Sequence, residues 1–215
     1  MPTSMTRPRN SASHQCGPHS RVSKRHLRPR QCHTAVILML MTLLHISVLH
    51  AQQPKVSEYH VKAVYLYNFG RFVQWPANAT AAKGDSFSIC VLGQDPFGPS
   101  LDSTLAGETL DGKPLAVKRI STTRDAGECR ILFISSTEEN RLKEILVALD
   151  ESSILTVSDM PSFSRRGGMI QFVLEGDKVR FEINLTRAET AKLTLSSELL
   201  KVATTVRRNT RQGGV

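Results

Sequence analysis

Histidine and cysteine are nearly missing from most of this chain. Past residue 51 there is one histidine, His60, and two cysteines, Cys90 and Cys129. The other six histidines and two cysteines all precede it. So small a stock supplies neither the four ligands of a structural zinc site nor a histidine-based triad. No nucleophile elbow and no dinucleotide fingerprint occurs either. The nearest approach to a phosphate loop is GQDPFGPS (93–100). That motif needs a lysine after its second glycine, and here Pro99 stands there, with neither charge nor N–H. The expectation is a non-catalytic protein without metal or cofactor.

Acidic residues are absent at the start. Residues 1–34 carry seven Lys/Arg and no Asp or Glu. Residues 35–49, AVILMLMTLLHISVL, form an apolar run broken only by Thr42, His45 and Ser47. Ala51 then precedes polar QQPK. A basic stretch, a short apolar core and a small residue read as a secretory signal. The run falls short of the ~20 residues that span a bilayer. Cleavage after Ala51 is the first reading, although Leu49 is large for its position; an uncleaved anchor is the second. The signal also accounts for the charge. Of the formal +9, seven units belong to residues 1–34, leaving the remainder near +2. A basic pI that comes from a leader carries no implication of nucleic acid. Residues 52–215 suffice for a single domain with a real core.

Export gives the two remaining cysteines a role. In an oxidising compartment Cys90 and Cys129 read as one disulfide, the alternative being two buried free thiols. A closed loop of that length is worth on the order of 4 kcal/mol on the chain-entropy model.

Apolar residues recur at helical spacing over 56–73, from Tyr59 through Ala63, Leu66 and Gly70 to Val73, with Ser57 placed as the cap and Trp75-Pro76 as the stop. Short apolar strands are expected at 87–92, 115–120, 129–135 and 154–157. Helices at 100–105 and 137–150 alternate with them, the second with Leu142, Ile145, Leu146 and Leu149 on one face. Alternation of this kind points to βαβ units and a largely parallel sheet. Then MIQFVL (169–174), Gly176-Asp177 and residues 178–185 form a hairpin, with Val179, Phe181, Ile183 and Leu185 facing one way. A helical pattern over 186–206 and a frayed basic tail from Arg207 close the chain. The fold class expected is mixed α/β: a largely parallel, three-layer, Rossmann-like sheet flanked by helices, with a C-terminal hairpin and helices.

Two stretches are candidates for binding. Arg165-Arg166-Gly167-Gly168 sets two guanidinium groups beside permissive backbone, suited to gripping a carboxylate or phosphate. It reads equally as a loop whose glycines serve the turn. Arg180 and Asn184, on the polar face of the hairpin, join such a site if no helix covers that face. Trp75, with Phe72 beside it, reads either as core closure or as an exposed anchor for a partner, tryptophan being favoured at hot spots.

Four segments together resemble the YfiR/HmsC-like family of small exported proteins: EYHVKAVYLYNFGRFVQWP (58–76), ICVLGQDPFG (89–98), LTVSDMPSFSRRGGMIQFVLEGDKVRFEINL (155–185) and LTLSSELLKVA (193–203). The resemblance implies a periplasmic α/β domain, often a homodimer, with a disulfide at Cys90 and Cys129. It implies a repressor that contacts the periplasmic sensory region of an inner-membrane diguanylate cyclase, with relief by an outer-membrane lipoprotein or by redox stress. Some members carry a second cysteine pair where this chain has Ser164 and Gln171. Relatives also occur beside sensor kinases, so the alternative is a small-anion-binding sensor serving a kinase.

Overall fold

The computed structural model describes residues 57–77 and 85–208. Residues 1–56, which include the signal expected over 1–51, residues 78–84 and residues 209–215 lie outside the described residues. In chain order the elements are α1 (Glu58–Phe72), β1 (Val73–Gln74), β2 (Phe87–Leu92), α2 (Pro99–Leu105), β3 (Thr109–Leu110) and β4 (Lys113–Ile120). A 3-10 helix (Thr123–Glu128) leads to β5 (Cys129–Ile134), and a second (Ser136–Arg141) leads into α3 (Leu142–Ala148) and β6 (Leu155–Ser158). The hairpin of β7 (Ile170–Glu175) and β8 (Lys178–Asn184) follows, then α4 (Leu185–Thr190), β9 (Thr194–Leu195), α5 (Ser197–Val202) and β10 (Thr205–Arg207).

Eight strands form one sheet in the order β10-β8-β7-β6-β5-β2-β4-β3. Strands β4, β2, β5, β6 and β7 run parallel to one another, and β8 turns back antiparallel to β7. Continuous apolar sequence explains the centre. All six residues of β2 are buried, as expected of a parallel strand covered on both faces. Successive side chains alternate between two cores. Ile89, Val91, Ile131 and Phe133 join the cluster under α1, α2, α4 and α5. Cys90, Leu92, Leu132 and Ile134 join the one under α3. From the β2/β5 pair the chain steps outward to β4 through α2, and to β6 through α3. Keeping one hand of crossover while moving in opposite directions requires the two helices to lie on opposite faces. The three-layer α/β expectation therefore holds.

Among the described residues the structure holds two tight hairpins, of which the sequence reading named the second. Leu110 and Lys113 pair across Asp111-Gly112, whose φ values of 51° and 74° are those of a type I′ turn. Glu175 and Lys178 pair across Gly176-Asp177.

The termini of the elements differ from expectation. Helix α1 ends at Phe72, before Val73, because Val73 and Gln74 leave it to pair with Leu195 and Thr194. Ser57 takes the N-cap position, but its side chain makes no capping bond. The helix expected over 137–150 is divided: residues 136–141 are 3-10, and α3 starts at Leu142. Leu185 is buried at the start of α4, not at the end of β8. The 186–206 region is two short helices with β9 between them. Arg207, expected in a frayed tail, belongs to β10, which runs parallel to β8 with Arg207 opposite Asn184.

Cys90 of β2 and Cys129 of β5 form a disulfide, with Cα atoms 5.8 Å apart and 39 residues of sequence separation. Both are fully buried. The bridge joins the two central strands beneath α3. Replacing both cysteines with alanine should lower the unfolding free energy by about 2–4 kcal/mol. Urea titration of residues 52–215 would measure this; a loss below about 1 kcal/mol would show the brace to be dispensable.

Candidate functional site

In doubly wound sheets, ligands take the crevice at the carboxyl ends of the strands where the strand order reverses. Here that place lies beyond β2 and β5, and the chain itself fills it. The Ser135 N–H donates to the Leu92 carbonyl at 3.0 Å, and the Gln94 N–H to Thr137 Oγ1 at 3.2 Å. A Cβ added at Gly93 would lie 2.7 Å from Thr137 Oγ1. The GQDPFG turn is closed from within. Asp95 accepts from the Phe97 N–H at 2.7 Å and from Arg119 Nε at 2.9 Å. An acidic, self-closed loop makes no phosphate cradle.

Beside this end sits a polar cluster that periodicity alone does not reveal. Lys62, on the buried face of α1, is 2% exposed. Its Nζ lies 2.6 Å from Asp159, 2.5 Å from Glu58 and 4.3 Å from the centre of the Tyr59 ring. The Tyr59 hydroxyl donates to the same Asp159 carboxylate at 2.9 Å. Burial, reinforced by the Asp159 charge, holds the Tyr59 phenol far above its usual range. This ties α1 to the loop after β6; every charge in it is answered internally.

The Arg165–Gly168 segment sits in that same β6–β7 loop and is heavily cross-linked. Arg165 and Arg166 N–H groups both donate to the Ser162 carbonyl, at 3.0 and 2.9 Å. Arg166 Nη1 meets Glu139 Oε1 at 2.9 Å, and its Nη2 donates to the Glu139 carbonyl. Arg187 donates to the Gly167 carbonyl and to Asp150. Gly167 has φ +108°, and a Cβ on Gly168 would lie 2.1 Å from the Phe163 ring. Asn184 is engaged at both ends: its amide donates to the Ser164 carbonyl at 2.8 Å, and its oxygen caps α4 by accepting from the Arg187 N–H. Arg165 is exposed, and Arg180 is half-buried opposite Val173 on the hairpin. Asn184 and the loop are thus brought together around Ser164. Gln171 Oε1 accepts from the Ser164 N–H at 3.1 Å and lies 3.3 Å from Ser164 Oγ.

The opposite end of the central strands is different. Trp75 packs edge-on against Phe87, the first residue of β2, with ring centres 5.3 Å apart. Arg130, the second residue of β5, spreads over both rings at 5.6 and 5.8 Å. Trp75 and Arg130, with Gly70, Arg71, Leu110 and Asp111, line a groove of about 580 Å³. Trp75 Nε1 is buried there with no hydrogen-bond partner among the described residues. Phe72, at the end of α1, is 36% exposed, and lies outside the groove's lining. Burial lowers the Arg130 pKa, an effect that the charge of Asp111 opposes. Arg130 escapes notice in the sequence; its one signal is a lone charge inside the buried run CRILFI.

A family model described as YfiR/HmsC-like (DUF4154) matches residues 59–204, from the first turn of α1 to the edge of β10. The chain belongs to the YfiR/HmsC-like family. Members are known as periplasmic regulators of diguanylate cyclases, which accords with the regulatory reading. No curated protein matches. Among solved structures, a conserved domain protein from Vibrio cholerae O1 biovar eltor is 15% identical with a TM-score of 0.48, over 70% of this chain and 60% of that one. The chain thus spans about 60% of that relative's length. An ABC domain in complex with L-Trp, from Streptococcus pneumonia, gives 11% identity and a TM-score of 0.42, covering 56% of this chain and 55% of that one. Among the described residues of this YfiR/HmsC-like chain, no helix is long and apolar enough to cross a membrane, and no His/Cys/Asp/Glu group is arranged to hold a metal.

Gly168→Ala should cost about 1–3 kcal/mol, because Phe163 must leave its buried site to admit the methyl. Arg166→Ala, which removes only an exposed ion pair, should cost about 0–1 kcal/mol. Chemical denaturation of the two variants tests the loop's packing; a Gly168→Ala variant as stable as the parent contradicts it.

Proposed function

We propose that this protein is exported to the periplasm by a cleaved signal over residues 1–51 and acts there as a non-catalytic repressor. Residues 52–215 form the acting domain. It binds the periplasmic sensory region of an inner-membrane diguanylate cyclase, holds that enzyme in its inactive state, and so lowers cyclic-di-GMP signalling and biofilm formation. A protein without a reaction of its own shifts a membrane enzyme only through tighter binding to one of that enzyme's states. The observation carrying the reading is the family match along nearly all of the described chain. An outer-membrane lipoprotein as the relieving partner, and a homodimer as the acting form, belong to the same proposal.

The alternative, a small-anion sensor for a kinase, draws less support from the Arg165–Gly168 loop. Arg166 already holds Glu139, and Asn184 is committed to Ser164 and α4.

Co-expression with a membrane diguanylate cyclase of the same organism should lower cellular cyclic-di-GMP, and the purified chain should retain that enzyme's periplasmic region in a pull-down. A Cys90→Ser variant should lose repression, since the unbraced core reduces the competent population. Unchanged cyclic-di-GMP together with no retained complex would rule the repressor reading out. A folded Cys90→Ser variant with full repression would remove the disulfide from the mechanism.

A further inference from the structure

We infer that the groove between Trp75 and Arg130 is a receptor for an acidic side chain of the protein partner. This deepens the docking reading above and rests on it for the identity of the occupant.

Among the described residues the Arg130 guanidinium stacks on aromatic rings, and Asp111 acts on it only as an unbonded charge. The guanidinium lies over Trp75 and Phe87, and no carboxylate forms an ion pair with it among the described residues. Four other arginines of the described fold, by contrast, each hold an acid: Arg119 has Asp95 and Asp102, Arg166 has Glu139, Arg187 has Asp150, Arg207 has Glu182. Stacking occupies the faces of a guanidinium and leaves its in-plane N–H fork for a bidentate acceptor. A second donor converges on the same groove, the buried and unpartnered Trp75 Nε1. Buried donors are normally satisfied, so an orphan beside a cation marks a place for an acceptor.

The charges around the groove set the sign of the occupant. Arg71 and Arg130 line it against a single acid, Asp111. Leu110, Val73 and Pro76 supply apolar walls for the stem of the incoming side chain. An interface of this kind joins an aromatic and an arginine, the types that dominate binding hot spots. Position supports a docking role too. The groove lies at the amino ends of β2 and β5, away from the self-closed crevice at their carboxyl ends.

Trp75 is the chain's only tryptophan, so it reports on its own groove. Residues 52–215 would be titrated with the periplasmic region of the cyclase by isothermal titration calorimetry, and separately with N-acetyl-glutamate amide, following Trp75 emission. Variants are Arg130→Ala, Arg130→Lys, Trp75→Phe and, on the far helix α3, Lys143→Ala as control. Circular dichroism and thermal melts establish that each is folded. Expected are partner binding weakened about 30-fold or more by Arg130→Ala, largely by Arg130→Lys, and about tenfold by Trp75→Phe, with Lys143→Ala unchanged.

Partner binding unaffected by Arg130→Ala and Trp75→Phe overturns the groove inference while leaving the docking reading standing. If such binding persists while N-acetyl-glutamate amide still saturates wild-type emission, the occupant is a free carboxylate, and the partner assignment falls. Emission that changes with the chain's own concentration alone assigns the groove to a second copy, also against the inference. No binding of wild type to the cyclase region refutes the docking reading; a flat Trp75 response to the glutamate derivative then overturns the groove as well.

Discussion

Burial of one strand on both faces is the constraint from which the rest of this fold follows. Every side chain of β2 is covered, so neither face of the sheet can be left to solvent at its centre. The chain meets this by sending α2 and α3 to opposite faces, with β2 and β5 adjacent between them. The disulfide lies at that junction, inside the α3 core. A fully buried bridge is reached by reductant only when the strands open. Its reduction is therefore coupled to the opening of the core it braces, which suits the proposed role of a domain that works through its shape.

A consequence concerns where binding can happen. The carboxyl-end crevice that doubly wound proteins use for ligands is stoppered by Thr137, Glu138 and the Asp95–Arg119 pair. Arg166 and the glycines of the Arg165–Gly168 loop are likewise committed to structure. They hold the β6–β7 crossover against Glu139, Arg187 and Phe163. Ser164 and Gln171 meet across that loop by hydrogen bonds. Polar pairing there ties the loop to β7 without a second sulfur bridge.

Much of this was legible in the sequence, for a physical reason. Residues 87–92 and 129–134 are buried on both sides, and that demand writes itself as unbroken apolar runs. The β7–β8 hairpin alternates because one face is buried and the other is not, and its turn carries a glycine at φ +59°. What escaped was set by tertiary pairing. Strands β1, β9 and β10 span two or three residues each, too few for any period, and exist because a partner strand lies beside them. Lys62 breaks the apolar stripe of α1 yet is buried, because Asp159, 97 residues away, supplies the countercharge. Arg130 is the same problem reversed: a cation in a buried run whose neighbours are aromatic rings.

That contrast bears on how the two buried cations differ in purpose. Burying a charge is costly unless it is paired, and a paired one adds little stability over an apolar replacement. Lys62 fits the structural case, since two carboxylates and the rings of Tyr59 and Phe172 surround it. Arg130 carries the desolvation without the pairing, next to an indole N–H in the same condition. Packing alone gives no reason to keep either donor there, since a leucine and a phenylalanine would fill the same space without an unmet hydrogen bond. The surplus becomes intelligible if the missing acceptors arrive from outside, and the docking role proposed above calls for a surface with such a deficit.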